Sequence, residues 1–284
     1  MAEPSIPALL ASVPADGRHA VLVEIAKVQG STPRDTDAVM VVTSGAAAGT
    51  IGGGQLEFHA IDLARRLIVE GPSHQAVELP LGPLMGQCCG GHVTLTFEPV
   101  DVTVAERLLL RERRLLDERP AVLVFGLGHT GRALAAVLAL LPFAVTLVDD
   151  RPEALADLPA ACRVRHLPDP QEAVSDAPAG AAFIILTHSH ALDYRLTEAA
   201  LARGDAAYVG MIGSRTKRRR FESQFLRAGG SKTVLAQLTC PIGGADVDDK
   251  RPEIIASLTA AELVRRFARR AAGARPSAVR SRRA

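Results

Sequence analysis

The chain of 284 residues is poor in aromatic side chains, with no tryptophan, two tyrosines and eight phenylalanines. A hydrophobic core must therefore consist mainly of aliphatic side chains. Because 48% of the residues are apolar and 23% are charged, such a core is expected, and the composition excludes a largely disordered chain. At about 150 residues per domain, the length predicts two domains.

Cysteines are also few: there are four, too few for a disulfide scaffold in a chain of this length, and Cys88 and Cys89 are adjacent. The formal net charge of +2 disfavours a general nucleic-acid or membrane-surface binder. The longest apolar run, around residues 133–148, is interrupted by Pro142 and is too short to span a bilayer. The N-terminal residues lack the pattern of a secretory signal. We therefore expect a reduced, cytoplasmic protein without nucleic-acid or membrane partners.

Apolar periodicity predicts an α/β protein with two domains. Residues 1–100 contain short β-branched segments, turns and one helical segment, which predicts an N-terminal mixed α/β domain. Residues 101–119 form a predicted connecting helix. Residues 120–272 alternate strands with helices, which predicts a C-terminal Rossmann-type domain with a doubly wound parallel sheet. Residues 273–284 are arginine-rich and offer little to bury, so we expect a disordered basic tail.

The segment GLGHTG, containing Gly126, Gly128 and Gly131, follows a predicted strand and begins a predicted helix. Such glycines permit a tight turn and the close approach of a pyrophosphate to the N-terminus of the helix. Asp149 ends the next predicted strand, where a ribose hydroxyl is usually bound. The same glycines could also shape a Rossmann turn that binds no dinucleotide.

Two glycine-rich loops in the first domain are further candidates. Cys88 and Cys89 lie in GQCCGG, where accessible thiolates could contact a soft metal or hold a persulfide. The alternative is a pair of small buried residues beside a turn. The other loop contains three consecutive glycines, Gly52, Gly53 and Gly54, directly before a predicted helix. Such a loop could bind an anion, and Arg34 is a nearby basic residue in the sequence. The alternative is a plain hairpin followed by the start of a helix.

Polar residues also follow two later strands of the second domain. His188, His190 and Asp193 come after AAFIILT, at the carboxyl end of the sheet, where they could carry protons, bind a metal, or simply cap and pack. Ser214 is a predicted helix N-cap. Arg215 and Lys217 lie in the first turn of that helix, where they suit a phosphate.

Several motifs in order resemble the XdhC/CoxI family, over roughly residues 20–264. They are VQGSTPRDTDAVMVV, GTIGGGQLE, GQCCGGHV, VFGLGHTGRAL, THSHALDYRL, YVGMIGSRTKRRRF, and CPIGG followed by RPEIIASLTAAELV. The resemblance implies a chaperone, rather than an enzyme, that binds and protects the molybdenum cofactor (molybdopterin). Such a protein would present the cofactor to a cysteine desulfurase for sulfuration, deliver it to the molybdenum subunit of xanthine dehydrogenase, and form a homodimer.

Under this resemblance, Cys88 and Cys89 would contact the molybdenum or its sulfur. The predicted cofactor-binding set comprises Arg34, Gly52, Gly53, Gly54, Cys88, Cys89, Gly126, Gly128, Gly131, Asp149, His188, His190, Ser214, Arg215 and Lys217. No residue is predicted to be catalytic.

Two enzymatic alternatives remain open at this point. An NAD(P)-dependent oxidoreductase would use the GLGHTG loop with Asp149, and His188 or His190 as a proton donor. A zinc-dependent hydrolase would use His188, His190 and Asp193, but no third strong ligand is adjacent to the two histidines in sequence.

Overall fold

The computed structural model describes residues 4–30, 34, 36–81, 91–244 and 246–274. The chain divides into two compact units, Met1–Glu118 and Arg119–Ala284. Within the described ranges, no helix is long and apolar enough to cross a membrane.

The first unit contains an antiparallel sheet of five strands in the order β3-β2-β1-β5-β4. Its elements are α1 (Ile6–Leu10), β1 (Asp16–Gln29), β2 (Val39–Thr43), β3 (Ala47–Gly49), α2 (Gly54–Glu70), β4 (Gln75–Leu81), β5 (Gly91–Asp101) and α3 (Val102–Asp117). Side chains alternate between the faces of a strand. Accordingly, Val21 and Val23 of β1 pack in the core that includes α2, while Leu22 packs in the core that includes α1 and α3.

Helix α3 covers most of the segment predicted to connect the domains, and it lies in the first unit. The carboxylate of Asp101 caps it by accepting a hydrogen bond from the Val104 N–H at 2.9 Å. Val104 and Leu108 are buried in the same cluster as Ile6 and Leu9. The helix is therefore part of the core of the first unit.

The second unit contains a parallel sheet of six strands in the order β11-β10-β9-β6-β7-β8. Its elements are β6 (Ala121–Phe125), α4 (His129–Leu138), β7 (Ala144–Asp149), a 3₁₀ turn (Pro152–Leu155), β8 (Arg163–His166), α5 (Gln171–Asp176), β9 (Ala182–Ile185), α6 (His190–Ala202), β10 (Tyr208–Met211), α7 (Arg215–Arg227), α8 (Lys232–Leu235), β11 (Leu238–Thr239) and α9 (Pro252–Ala274). This order confirms the predicted Rossmann-type doubly wound sheet.

Helices cover both faces of this sheet. Val122 and Val124 of β6 belong to the core that includes α4 and α9, whereas Leu123 and Phe125 belong to the core that includes α5, α6 and α7. The strand order reverses between β6 and β9, and ligands of open α/β sheets bind beyond the carboxyl ends of strands at such a point. The switch point predicts a site at the carboxyl ends of β6 and β9, and the loops after β10 and β11 lie at the same edge of this parallel sheet.

Candidate functional site

The three glycines of the loop after β6 have different roles. A β-carbon at Gly126 would lie 2.4 Å from the Leu186 carbonyl oxygen, and one at Gly131 would lie 2.0 Å from the Gly126 carbonyl oxygen. These two glycines are therefore required by packing. Gly128 is exposed at the N-cap of α4, and a β-carbon there would have no atom within 4 Å. Gly128 is the position in this loop that a ligand could approach.

Asp149, predicted to hold a ribose hydroxyl, is only 2% exposed and bonds to the protein itself. Its Oδ2 accepts hydrogen bonds from the Leu127 N–H at 2.7 Å and from the Arg151 guanidinium at 2.9 Å. Its Oδ1 accepts from the backbone N–H and the Nε of Arg151. Burial raises the pKa of this carboxyl, but the hydrogen bonds from Arg151 and Leu127 outweigh burial and lower the pKa. Asp149 thus holds the glycine loop through Leu127, and Arg151 pairs with Asp149. Arg151 was not singled out from the sequence.

The two predicted histidines are exposed at the same edge of the sheet. His188 Nδ1 lies 3.8 Å from Asp150 Oδ1, and His190 is the first residue of α6. Between them, Ser189 Oγ caps α6 by accepting a hydrogen bond from the Leu192 N–H. In the part of the chain that the structure describes, no group of three or more His, Cys, Asp or Glu side chains could hold a metal ion.

A buried ion pair joins Asp193 in α6 to Lys217 in α7. Asp193 is 0% exposed and Lys217 is 8% exposed. Asp193 Oδ1 accepts hydrogen bonds from the N–H and the hydroxyl of Thr187, at 2.8 and 2.7 Å. The Lys217 ammonium donates to the Asp193 carboxylate and, at 2.9 Å, to the Ile212 carbonyl oxygen. Lys217, predicted to contact a phosphate, therefore ties the loop after β9 to the loop after β10.

A cavity of about 560 Å³ opens beside these loops, in the size range of ligand pockets. Apolar side chains and loop backbone line it, with charged residues among them. The lining residues are Ile212, Gly213, Ser214, Arg215, Pro241, Ile242, Gly243, Gly244, Val247, Asp248, Asp249, Lys250, Ile255 and Leu258.

The charged residues of this cavity differ in their partners. Asp249 accepts hydrogen bonds from the Arg251 guanidinium at 2.7 and 3.0 Å. The side chains of Arg215, Asp248 and Lys250 are exposed, and none of them forms a hydrogen bond or ion pair with a side chain or backbone group of the described residues. Two cations and one carboxylate are therefore available to a ligand.

Arg218, which was not among the predicted site residues, fixes the start of a loop that contributes Pro241–Gly244 to the cavity. Its guanidinium donates to the Leu238 and Cys240 carbonyl oxygens at 3.2 and 3.0 Å, and to Glu222 at 2.7 Å. It thereby links α7 to the Cys240–Gly244 loop. Burial raises the pKa of the Cys240 thiol to about 11, so this thiol stays protonated at neutral pH.

In the first unit, the triple-glycine loop is hydrogen-bonded to Glu57 of the helix that follows it. Glu57 Oε2 accepts hydrogen bonds from the Thr50 hydroxyl at 2.6 Å and from the Ile51 and Gly53 N–H groups, each at 3.1 Å. The donors that could bind an anion are thus directed at a carboxylate of the same chain. Gly52, Gly53 and Gly54 all have positive φ, the conformation that glycine adopts most easily.

The remaining predicted residues of the first unit are Arg34, Cys88 and Cys89. Arg34 is exposed in the connection between β1 and β2. Cys88 and Cys89 lie outside the described residues. Their predicted contact with molybdenum or sulfur therefore stays a prediction.

Comparison with known families identifies the chain. Residues 122–263 match the family model of the XdhC Rossmann domain, and residues 14–78 match that of the XdhC and CoxI family. The chain belongs to the XdhC and CoxI family.

Two relatives illustrate the match. A solved structure from Bacillus halodurans, described as a xanthine dehydrogenase, superposes with a TM-score of 0.77 at 19% identity, covering 96% of this chain and 98% of that one. At this identity the likeness shows the shared fold. The uncharacterized protein YqeB of Escherichia coli is 25% identical over 248 residues, which are 86% of this chain and 42% of YqeB. The XdhC-family chain thus spans less than half the length of this curated relative.

Proposed function

We propose that this XdhC-family protein binds the molybdenum cofactor in the cavity of its second unit and delivers it to xanthine dehydrogenase. The observation that supports this proposal most directly is the 560 Å³ cavity with the exposed cations Arg215 and Lys250 among its lining residues. All of its lining residues lie within residues 122–263, the part that matches the XdhC Rossmann domain.

The chemistry of the cavity fits a phosphorylated pterin. Arg215 and Lys250 offer charged donors for the terminal phosphate, and Arg215 is the first residue of α7, whose N-terminus adds a positive dipole end. Ile242 and Leu258 offer apolar surface to a flat ring system. When bound, the cofactor supplies molybdenum redox chemistry to the client enzyme; the residues of this chain bind the cofactor and orient it.

Sulfuration is a further part of the proposal. A cysteine desulfurase would supply sulfur while the cofactor is held by this protein, and Cys88 and Cys89 would contact the molybdenum or the sulfur. The support is the chemistry of adjacent thiols between glycines in GQCCGG. We further propose that the protein is a homodimeric carrier in the cytoplasm and not itself an enzyme.

Cofactor retention tests the proposal. Anaerobically purified protein is incubated with free molybdenum cofactor, excess cofactor is removed by gel filtration, and the retained pterin is measured by fluorescence after oxidation. We expect stoichiometric retention by the wild type and reduced retention by Arg215→Ala. Arg219→Ala is the matched control, because Arg219 is also exposed on α7 but does not line the cavity. Lack of retention by the wild type, or equal losses in both variants, would contradict the proposal.

An NAD(P)-dependent oxidoreductase is the second candidate, favoured by the exposed Gly128 at the N-terminus of α4. Against it, both oxygens of Asp149 already accept hydrogen bonds from Leu127 and Arg151. A thermal shift with NAD(H) and NADP(H) separates the candidates, because a ligand that binds the folded state raises its melting temperature. A clear stabilisation, with no retention of molybdenum cofactor, would favour the oxidoreductase.

A further inference from the structure

We propose that Asp248 recognises the 2-amino-4-oxopyrimidine edge of a phosphorylated pterin, while Arg215 and Lys250 bind its phosphate. This inference rests on the proposed function and adds to it the orientation of the ligand and the residue that selects its ring. All three residues line the same cavity, so one ligand that carries both a pterin ring and a phosphate can contact them together.

Of the two aspartates that line the cavity, Asp248 is the one that a ligand can reach more easily. Asp249 is bound by the guanidinium of Arg251 on the same loop, with three hydrogen bonds of 2.7–3.2 Å. Asp248 has no such partner among the described residues. An incoming ligand would have to displace Arg251 to reach Asp249, whereas the exposed side chain of Asp248 has no hydrogen-bond partner to displace among the described residues.

The pterin ring has donors that match a carboxylate. Its pyrimidine edge carries a ring N–H and an exocyclic amino group side by side, so two N–H groups point in the same direction. A carboxylate accepts such a pair with its two oxygens, as it does from an arginine, and these charge-assisted bonds are stronger than neutral ones. The Watson–Crick edge of adenine places a donor beside an acceptor and cannot form this pair. The chemical class that fits Asp248 is therefore a 2-amino-4-oxo heterocycle.

The rest of the cavity suits the same ligand. Ile212, Ile242, Ile255 and Leu258 line it with aliphatic side chains, which can pack against both faces of a flat bicyclic ring. The cations are needed at the phosphate end, because a phosphate monoester carries close to two negative charges at neutral pH. The cavity thus combines apolar walls, two cations and, besides the Arg251-bound Asp249, one carboxylate without a described partner, the complement of a phosphorylated pterin.

A matched pair of metal-free probes tests the role of Asp248 in the full-length protein. The probes are 6-hydroxymethylpterin phosphate and 6-hydroxymethyllumazine phosphate, which carries an oxo group in place of the 2-amino group. Equilibrium dialysis measures both affinities. We expect the wild type to bind the pterin about tenfold more tightly or better, because lumazine directs an oxygen at the carboxylate where the pterin directs an N–H.

Asp248→Asn should change which of the two probes binds more tightly, as well as the affinity for the pterin. The asparagine side chain offers one acceptor and one donor, which match the N–H and the oxo group of lumazine. We expect binding of the pterin to weaken about tenfold while binding of the lumazine is maintained or strengthened. Asp248→Ala should lose the discrimination between the two probes. Equal affinities of the wild type for both probes, weakening of both by the same factor in Asp248→Asn, or no binding of either probe would each overturn the inference.

Asp246→Asn is the control variant, because it removes the same charge two residues away and Asp246 does not line the cavity. It should retain the preference for the pterin, and loss of the preference in this variant would contradict a specific role of Asp248. The role of Asp248 and the proposed carrier function can be refuted independently of each other. Wild type that retains the molybdenum cofactor without distinguishing the probes overturns only the inference, whereas wild type that distinguishes the probes but neither retains nor delivers the cofactor overturns only the carrier function.

Discussion

Replacing Lys217 by methionine tests whether the buried ion pair holds the second unit together. Methionine keeps most of the length of the side chain but removes the ammonium group. Asp193, which is 0% exposed, would keep only the two hydrogen bonds from Thr187, and the Ile212 carbonyl would lose its side-chain donor. The variant thus leaves a buried carboxylate without its counter-ion.

The expected loss follows from the geometry. Removing one partner of a buried ion pair costs about 3–5 kcal/mol. Because Thr187 continues to donate two hydrogen bonds to Asp193, we expect the lower end, about 3 kcal/mol in the free energy of unfolding. At roughly 2–4 °C per kcal/mol for a unit of this size, the melting temperature should fall by about 6–12 °C.

Thermal and urea unfolding, followed by circular dichroism, measure this loss. Asp193→Asn combined with Lys217→Met should cost less than the sum of the two single variants, because the second change removes the charge that the first leaves unpaired. Lys250→Met is the control, since Lys250 is exposed and its loss should change the free energy by no more than about 0.5 kcal/mol. A loss below about 1 kcal/mol in Lys217→Met, or strictly additive single variants, would contradict a stabilising role for the buried pair.

Three further predictions address other parts of the molecule. Gly131→Ala should lower the melting temperature strongly, because its β-carbon would lie 2.0 Å from the Gly126 carbonyl oxygen, whereas Gly128→Ala should change it little; equal melting temperatures would contradict this. Glu57→Ala should cost about 1–3 kcal/mol in urea unfolding, because it leaves two loop amides without their acceptor, and unchanged stability would show that water replaces the carboxylate. Cys240 should resist alkylation at pH 8, since its pKa is about 11 and its side chain is buried; rapid labelling, measured by mass spectrometry, would show otherwise.

Local sequence patterns were sufficient to predict the fold class of the second unit and the family. The Rossmann turn depends on residues close together in the chain: a strand that ends at Phe125, glycines at 126, 128 and 131, and a helix that follows at once. Hydrophobic periodicity and turn chemistry are local, so they are readable without a structure. The family motifs indicated the XdhC and CoxI family, which the matches over residues 14–78 and 122–263 show.

The contacts of the candidate side chains could not be predicted from the sequence, because they depend on the packing of distant elements. Lys217 and Asp193 are 24 residues apart, and the packing of α6 against the same sheet as α7 brings them into one buried pair. The position of Asp149 at the end of the second Rossmann strand predicts a contact with a ribose. In the structure its carboxylate oxygens accept hydrogen bonds from Leu127 and Arg151. A spacing in sequence fixes where a residue can lie on a strand or helix, whereas its hydrogen-bond partners come from elements that are distant in the chain. Some of the predicted polar residues, such as Asp149 and Lys217, therefore hold the loops in the folded chain. Others, such as Arg215, are exposed at the cavity.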